Sequence, residues 1–545
     1  MGCSTSKEPE YNEDGTPKIK ISKLRTSRFR SDINKKERES ITARLAHTQG
    51  AMSELHDRYD CKNATELGRG ACGSVMAVKR LDNNELFALK TISLESMGAY
   101  DIEELRNEIE LQKKLDHPNI CKLLESYEDK KRGTVHIVME MCTGGMLVSR
   151  MKTHRNGWSE QAVATMMEQV LSAIKYCHSN GVVHRDIKLD NIMMEDPSDT
   201  SLLKLIDFGF AVQVKRGKEG MQEQLGTPSY MAPELCAEDH NYVNYDSSVD
   251  IWAIGVTTYI LLSGQRPFHH ENRAEKRRMI REDPLRFPDE SWGHISDEAK
   301  DFCSSLMMKD PTQRLSPSDA IKHPWIQQRS DVHKGDDAAT ALQKRDQIVK
   351  SIEAFSNADG MAKIAMQWLA FTVPPAKLNE LRDIFRKMDV DDSGTITLEE
   401  FKEAMTKQED LPVSRIEQIF EAMDVTKSGE IEYNEFLAAT LASSQQFEKS
   451  LSGNSLHAVF NELDTDHDGY ISKADIQEFF QDDFDESSIR TLAQHADGAD
   501  TGKINYDGFK QCVLQMMKTA EDTGATITKI HREVTQRKRS RKERV

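Results

Sequence analysis

"VVHRDIKLDN", Val182–Asn191, sets a carboxylate, an ammonium and an amide at fixed offsets. Asp186 is suited to accept a proton from a hydroxyl, Lys188 to neutralise charge on a group in transfer, and Asn191 to bind magnesium. Sixteen positions beyond Asn191 lies "DFG", whose Asp207 would take the metal that bridges phosphates. Upstream, "ELGRGACGSV" carries Gly68, Gly70 and Gly73 at G-x-G-x-x-G spacing, followed by Val75. Such a triplet also marks dinucleotide sites, but those run strand–loop–helix with an acid about 20 residues on. Here the glycines sit between β-like runs, and "LFALK" follows with Lys90. Glycines in a hairpin let backbone lie close over a triphosphate.

Glu108, in the helical stretch "IEELRNEIELQKKL", is the expected partner that holds Lys90 on the phosphates. "GTPSYMAPE" closes the segment with Ala232, Pro233 and Glu234. Any one of these residues alone reads as an ordinary surface acid or lysine. All of them in this order leave chance negligible.

These motifs resemble the protein kinase family over about Tyr59 to Ile326. The resemblance implies a small β-rich lobe, a larger helical lobe and ATP in the cleft between them. Lys188 and Thr227 are similar to the serine/threonine branch, Met139 falls at the gatekeeper position of the adenine pocket, Asp250 would brace the catalytic loop, and Arg314 would pair with Glu234. Two places are particular to this chain. Arg185 precedes Asp186, and Glu223 stands where relatives carry an activating phosphate, so a fixed carboxylate is expected to order the segment without phosphorylation. In "CTGGMLVSR", Met146 replaces the usual Glu, which puts selection of an upstream Arg in doubt, although Asp190 remains nearby.

After Ile326 the text becomes repetitive. A calcium loop needs oxygen ligands at positions 1, 3, 5, 7, 9 and 12 and Gly at 6. "DVDDSGTITLEE" offers Asp389, Asp391, Ser393, the Thr395 carbonyl, Thr397 and Glu400. "DVTKSGEIEYNE" offers Asp424, Thr426, Ser428, Glu430 through its carbonyl, Glu432 and Glu435, with Thr426 lowering the charge. "DTDHDGYISKAD" offers Asp464, Asp466, Asp468, the Tyr470 carbonyl, Ser472 and Asp475, an acid one methylene shorter than Glu. "DGADTGKINYDG", Asp497–Gly508, has Ala499 at position 3, Thr501 at 5 and Gly508 at 12. The loops start 35, 40 and 33 residues apart, so the last is a fourth repeat. It is expected to lack useful calcium affinity and to pair through Ile504 with Ile471. About three calcium ions are expected.

The junction, 327–377, places Ile348, Ile352, Phe355, Ile364, Trp368 and Phe371 at helical spacing, with Lys344, Arg345 and Lys350 nearby. Such anchors match what a calcium-opened groove binds, and an ordinary helix packed between domains is the lesser alternative. Kinase motifs, helical junction and four loops in this order resemble the calcium-dependent protein kinase family across nearly the whole chain. The resemblance implies autoinhibition relieved when calcium makes the C-terminal module grip or reposition the junction.

The ends and the composition complete the reading. "MGCSTSK" matches a myristoylation pattern at Gly2, with Ser6, and Cys3 is a palmitoylation candidate; two chains are needed for stable attachment. Basic residues from Lys18 to Arg30 would support contact with anionic lipid. The C-terminal "HREVTQRKRSRKERV" suits lipid headgroups, nucleic acid, a nuclear signal or a solvated charge run, and membrane support is the preferred reading beside an anchored N-terminus. Residues up to about Leu55 otherwise read as tail plus an exposed helix. A formal net charge of −17 argues against a chain that coats nucleic acid, and nine scattered Cys without a CxxC pair read as reduced thiols. No apolar run reaches 18 residues.

The expected architecture is therefore α+β, a bilobal protein kinase fold followed by an all-α calmodulin-like domain of two EF-hand pairs. Its segments are a tail and helix (1–58), a catalytic domain (59–326), the junction (327–377), the calcium module (378–517) and a basic tail (518–545). The expected activity is calcium-activated transfer of the ATP γ-phosphoryl group, with magnesium, to Ser or Thr of protein substrates. The expected setting is a monomer at the cytoplasmic face of a membrane. Two rivals remain at this stage: a non-catalytic calcium-responsive scaffold, against which Lys90, Glu108, Asp186, Asn191 and Asp207 all speak, and a kinase regulated by separate calmodulin.

Overall fold

The computed structural model describes residues 49–50, 52–70, 73–82, 84–95, 97–152, 154, 158–213, 227–236, 245–328, 338–358, 360–373, 378–406, 412–441, 453–472, 474–475 and 503–515. Gly2, Cys3, Glu223, Asp497, Ala499 and Thr501, to which the sequence assigns roles, lie outside the described residues, as do both tails.

The first lobe is a six-stranded sheet ordered β1-β5-β6-β4-β3-β2. Its strands are β1 (Gln49–Gly50), β2 (Tyr59–Gly70), β3 (Gly73–Arg80), β4 (Leu86–Ser93), β5 (Leu123–Asp129) and β6 (Thr134–Glu140). Helix α1 (Met52–Arg58) precedes β2, and α2 (Ala99–Lys113) lies between β4 and β5. Most of the expected tail and exposed helix before Leu55 lies outside the described residues, and at Leu55 itself one face of α1 is buried. This side chain is 1% exposed and joins Tyr59 and Tyr127 in an apolar cluster. The cause is β1, which pairs parallel with β5 through Gln49–Ser126 and so holds α1 against the sheet.

The second lobe is helical around α5 (Ser248–Ser263), in which every residue from Val249 to Ser263 is buried. A helix apolar all round has to sit inside a core. Gly255 permits this, since a Cβ there would lie 2.7 Å from Met307 Cγ. Gly264, at φ 69°, ends the helix in the left-handed conformation. Also in this lobe are β7 (Gly145–Met146), α3 (Leu147–Arg150), α4 (Glu160–Ser179), β8 (Val182–Val183), β9 (Ile192–Met194), β10 (Leu203–Leu205), β11 (Val212–Gln213) and α6 (Arg273–Glu282). The β8–β11 and β9–β10 pairs bracket the catalytic stretch, because Val183 pairs Val212 and Ile192 pairs Leu205.

The junction forms α7 (Ala338–Asn357) and α8 (Gly360–Thr372). The calcium module follows as α9 (Asn379–Met388), β12 (Thr395–Thr397), α10 (Leu398–Thr406), α11 (Val413–Met423), β13 (Glu430–Glu432), α12 (Tyr433–Thr440), α13 (Gly453–Leu463), β14 (Ile471–Ser472) and β15 (Lys503–Ile504). Loops pair as expected: Ile396 opposite Ile431 and Ile471 opposite Ile504, both antiparallel. All six junction anchors, Ile348, Ile352, Phe355, Ile364, Trp368 and Phe371, are buried in one apolar cluster. That cluster also takes in Val78, Phe87 and Val138 of the sheet and Phe385, Phe401 and Phe436 of the module. The junction thus packs between the module and the kinase sheet.

Candidate active site and calcium loops

The glycine-rich stretch is a hairpin, with Gly68 opposite Val75 and Gly70 opposite Gly73. Antiparallel strands on both sides of the triplet exclude its dinucleotide reading. A side chain at Gly73 is impossible without a shift, because a Cβ would lie 1.8 Å from the Thr91 carbonyl oxygen. Lys90 sits in register between Val75 and Ile137 at the centre of the sheet. Its ammonium lies 3.4 Å from Asp207 Oδ1. The expected Lys90–Glu108 pair is not formed among the described contacts. Both Glu108 oxygens instead approach Gly209, within 3.6–3.7 Å of its Cβ position. Burial pushes Glu108 up to about 7; Lys90 opposes this and Asp207 adds to it. Asp207 therefore holds the ammonium here, and Glu108 feels its charge without pairing to it. Met139 is partly buried against Ile92, Leu105 and Leu123.

The catalytic stretch closes on Asp186, which is buried. Its Oδ2 accepts from Lys188 Nζ at 2.6 Å and Asn191 Nδ2 at 3.0 Å. Its Oδ1 accepts from Thr227 Oγ1 at 2.9 Å and the Thr227 N–H at 3.2 Å. Thr227 read in sequence only as a marker of branch; the fold makes it a positioning residue, bonded also by Lys188 at 3.0 Å. Asp207 adopts φ 62° and Arg185 φ 66°, strained conformations that the surroundings enforce. Arg185 is held by Asp250 through its N–H at 2.8 Å, by the Phe210 carbonyl and by Tyr245 Oη at 3.3 Å.

Asp250 also accepts from the His184 N–H at 3.0 Å and His178 Nε2 at 2.8 Å. Burial would raise its pKa, but these bonds and the His178 ring outweigh burial and hold it below the usual carboxylate range. Arg314 grips Glu234 by two bonds of 2.7 Å. The Asn191 amide and the Asp207 carboxylate are oxygen donors of the kind magnesium takes, and Asn191 lies against Asp186.

Loops one to three share one backbone signature. Position 4 is left-handed at Asp392, Lys427 and His467, and position 6 is Gly at φ 82° to 91°. In loop one Asp389, Asp391 and Glu400 bring ligand atoms within 4.8 Å of one another, and in loop three Asp464, Asp466 and Asp468 do so. Ser393 Oγ bonds the Thr395 carbonyl at 3.1 Å, and Ser428 Oγ bonds the Glu430 carbonyl at 2.7 Å. Burial pushes the Asp389 and Glu435 carboxyls up, to about 8 each. A divalent cation reverses that pressure, so the donor sets fit calcium. The last acids differ. Glu435 reaches the N–H of Thr426 at position 3, 2.9 Å away. Asp475 reaches only Thr465, at position 2, and Ser472, at position 9. Tyr470 is 43% exposed and stands beside Lys503.

The module is seated on the kinase domain. Asn434 donates its N–H to Asp116 Oδ2 at 2.6 Å and its side chain to Gln367 Oε1 at 2.8 Å. Arg382 pairs with Glu195 at 2.9 Å, both side chains almost wholly buried. Arg386 meets Glu168 at 3.3 Å, Lys175 meets Asp391 at 3.3 Å, and Arg58 meets Glu462. At Gly394 a Cβ would lie 2.4 Å from His117 Cδ2. None of these contacts falls on Asp186, Lys188 or Asp207.

Comparison with known proteins agrees with this layout. Residues 61–326 match the protein kinase domain family, and residues 378–441 and 454–514 each match the EF-hand domain pair. Calcium-dependent protein kinase 8 of Arabidopsis thaliana is 33% identical over 535 residues, which cover 95% of this chain and 93% of the relative. Calcium-dependent protein kinase 17 of the same plant is 33% identical over 449 residues, 82% of this chain and 81% of the relative. Calcium-dependent protein kinase 3 of Oryza sativa subsp. japonica is 32% identical over 478 residues, 86% of this chain and 81% of the relative.

Proposed function

The chain belongs to the calcium-dependent protein kinase family, and from that membership we propose how its calcium module controls its catalytic cleft. It is a calcium-activated serine/threonine protein kinase that uses ATP and magnesium and acts on protein substrates. At low calcium the module and junction hold the kinase inactive. Calcium in about three loops stabilises the arrangement in which the junction lies between module and sheet, away from Asp186. The observation that carries this is Asn434, on a helix that ends a calcium loop, bonded at once to the junction through Gln367 and to the kinase through Asp116.

ATP with magnesium supplies the γ-phosphoryl group and neutralises its charge. Lys90 and Asp207 would hold the nucleotide and metal beneath the Gly68–Gly73 hairpin, and Asn191 would complete the metal site. Asp186 takes the proton of the substrate hydroxyl. Lys188 and Thr227 keep its two oxygens aimed, and the lysine offsets charge on the group in transfer. Acylation at Gly2 and Cys3, with the basic tails, would hold a monomer at the cytoplasmic face of a membrane.

The test is phosphate transfer to a peptide by the purified full chain, with calcium, with chelator, and with or without added calmodulin. Transfer with calcium alone is expected, and Asp186→Ala should lower it about a thousandfold, the range of a positioned base. Transfer that needs added calmodulin, or that persists in chelator, would sink the proposal. Palmitate and myristate labelling of Cys3→Ser and Gly2→Ala forms tests the anchor.

A further inference from the structure

The chain carries −17 overall, yet residues 264–286 hold seven Lys or Arg against four Asp or Glu. Three of those acids are consumed locally. Arg278 binds Glu275 at 2.7 Å, Glu282 at 3.3 Å and Asp283 at 3.0 Å. Arg266, Arg273 and Arg286 are exposed, Lys276 and Arg277 are half-buried, and none of the five has a carboxylate partner among the described residues.

This surface adjoins the catalytic cleft. Helix α6 packs against the turn Pro233–Cys236 that closes the activation segment, with Arg281 Nη1 donating to the Cys236 carbonyl at 2.7 Å. That turn begins three residues after Tyr230. The Tyr230 N–H bonds the Thr227 carbonyl at 2.9 Å, and Thr227 bonds Asp186. The helix that carries the basic patch thus packs on the segment that reaches Asp186. Met146, 40% exposed, lies on a strand paired with Met193, just beyond Asn191. Four residues on, Arg150 already uses Asp199. At this position Met146 is apolar where relatives carry a carboxylate, which leaves the exposed Asp190 as the nearby acid.

We propose that the α6 surface formed by Arg266, Arg273, Lys276, Arg277 and Arg286 docks an acidic stretch of the protein substrate, close to the residue being phosphorylated. The inference rests on the kinase reading above and names the substrate class of the same cleft. Exposed charge pairs are individually weak, so affinity comes from several acting together and falls with salt. Anionic lipid would also meet a basic patch, but continuity with Tyr230 and Thr227 favours an occupant that also enters the cleft.

The experiment uses the full chain with saturating calcium and peptides that share one acceptor. They differ in a flanking block of Asp/Glu, Ser/Gln or Lys/Arg, set on either side. The acidic peptide should show a KM about tenfold below the neutral one at low salt, with the gap closing in high salt. Combined Arg273→Glu, Lys276→Glu and Arg277→Glu should reverse the order in favour of the basic peptide, a gain that an unfolded protein cannot produce. Arg286→Gln alone should narrow the gap two- to threefold, roughly one exposed pair. Equal KM values in the native chain, or an order unmoved by the triple change, would overturn the docking surface while calcium-activated transfer stands. So would loss of binding to phosphatidylserine vesicles with peptide order unchanged, which assigns the patch to membrane. Transfer to no peptide in calcium would overturn the underlying reading as well.

Discussion

In the first loop pair, Thr395 at position seven donates to Glu430 at position seven of its neighbour, 2.6 Å away. In the second pair the equivalent place in the fourth loop is Lys503, whose ammonium lies 2.5 Å from Asp468, a ligand of the third loop. One pair joins two calcium loops through a neutral donor. The other sets a tethered cation against a cation site. The attachments differ as well. The first pair meets the kinase through Arg382–Glu195, Arg386–Glu168 and Lys175–Asp391, and the second through Arg58–Glu462. The first pair is therefore wired to the catalytic domain, whereas the candidate calcium site of the third loop faces a resident charge.

The largest way to break this comparison is Arg382→Ala. It strands the Glu195 carboxylate, 7% exposed, and removing one partner of a buried pair costs about 3–5 kcal/mol. Urea unfolding should show that loss, and a change below about 1 kcal/mol would mean that the docked arrangement is marginal in solution.

Next comes activation. Glu400→Gln with Glu435→Gln should lower calcium-stimulated transfer on the order of 100-fold, the loss of two bidentate ligands. Asp464→Asn with Asp475→Asn should lower it far less. Equal losses would erase the distinction between the pairs.

A third measurement sharpens the first pair's docking. Burial pushes the His117 ring down to about 3, with Arg386 and Lys204 adding to the effect. Its folded pKa is depressed, so the native state excludes the proton, and the stability present above about pH 6.5 is lost as pH falls. By pH 5 this ring should cost about 2 kcal/mol, and His117→Gln should flatten that fall. A slope that the change leaves alone would mean that the ring protonates without undocking Gly394.

The smallest effect belongs to the second pair. Lys503→Met should raise third-loop calcium affinity about five- to tenfold, roughly one competing charge at the surface, read by titration calorimetry. Unchanged affinity would show that Lys503 yields its place freely.

Most of the active site was legible because its chemistry is carried by short, ordered strings. Asp186, Lys188 and Asn191 fall within six residues, and their bonds to one another follow from that closeness. Asp207 and Lys90 were legible as types at a spacing, but not their mutual contact, since 117 residues separate them and Glu108 was the expected partner. Thr227 was visible as a letter and not as a bond. Lys503 was open to detection: once Ile504 is set opposite Ile471, the residue before it faces the third loop.

The sequence by itself determined the reaction class, the family and the count of loops, because each rests on residue types at local spacing that any correct fold brings together. It also placed Ile348, Trp368 and Phe371 at helical spacing as apolar anchors. Only the tertiary structure decided what buries them, how α1 closes the sheet, and that Asn434, Arg382 and Lys175 join a calcium module to a kinase across hundreds of residues. Those contacts depend on how whole surfaces meet, and no local pattern in one strand or helix encodes the identity of the surface opposite.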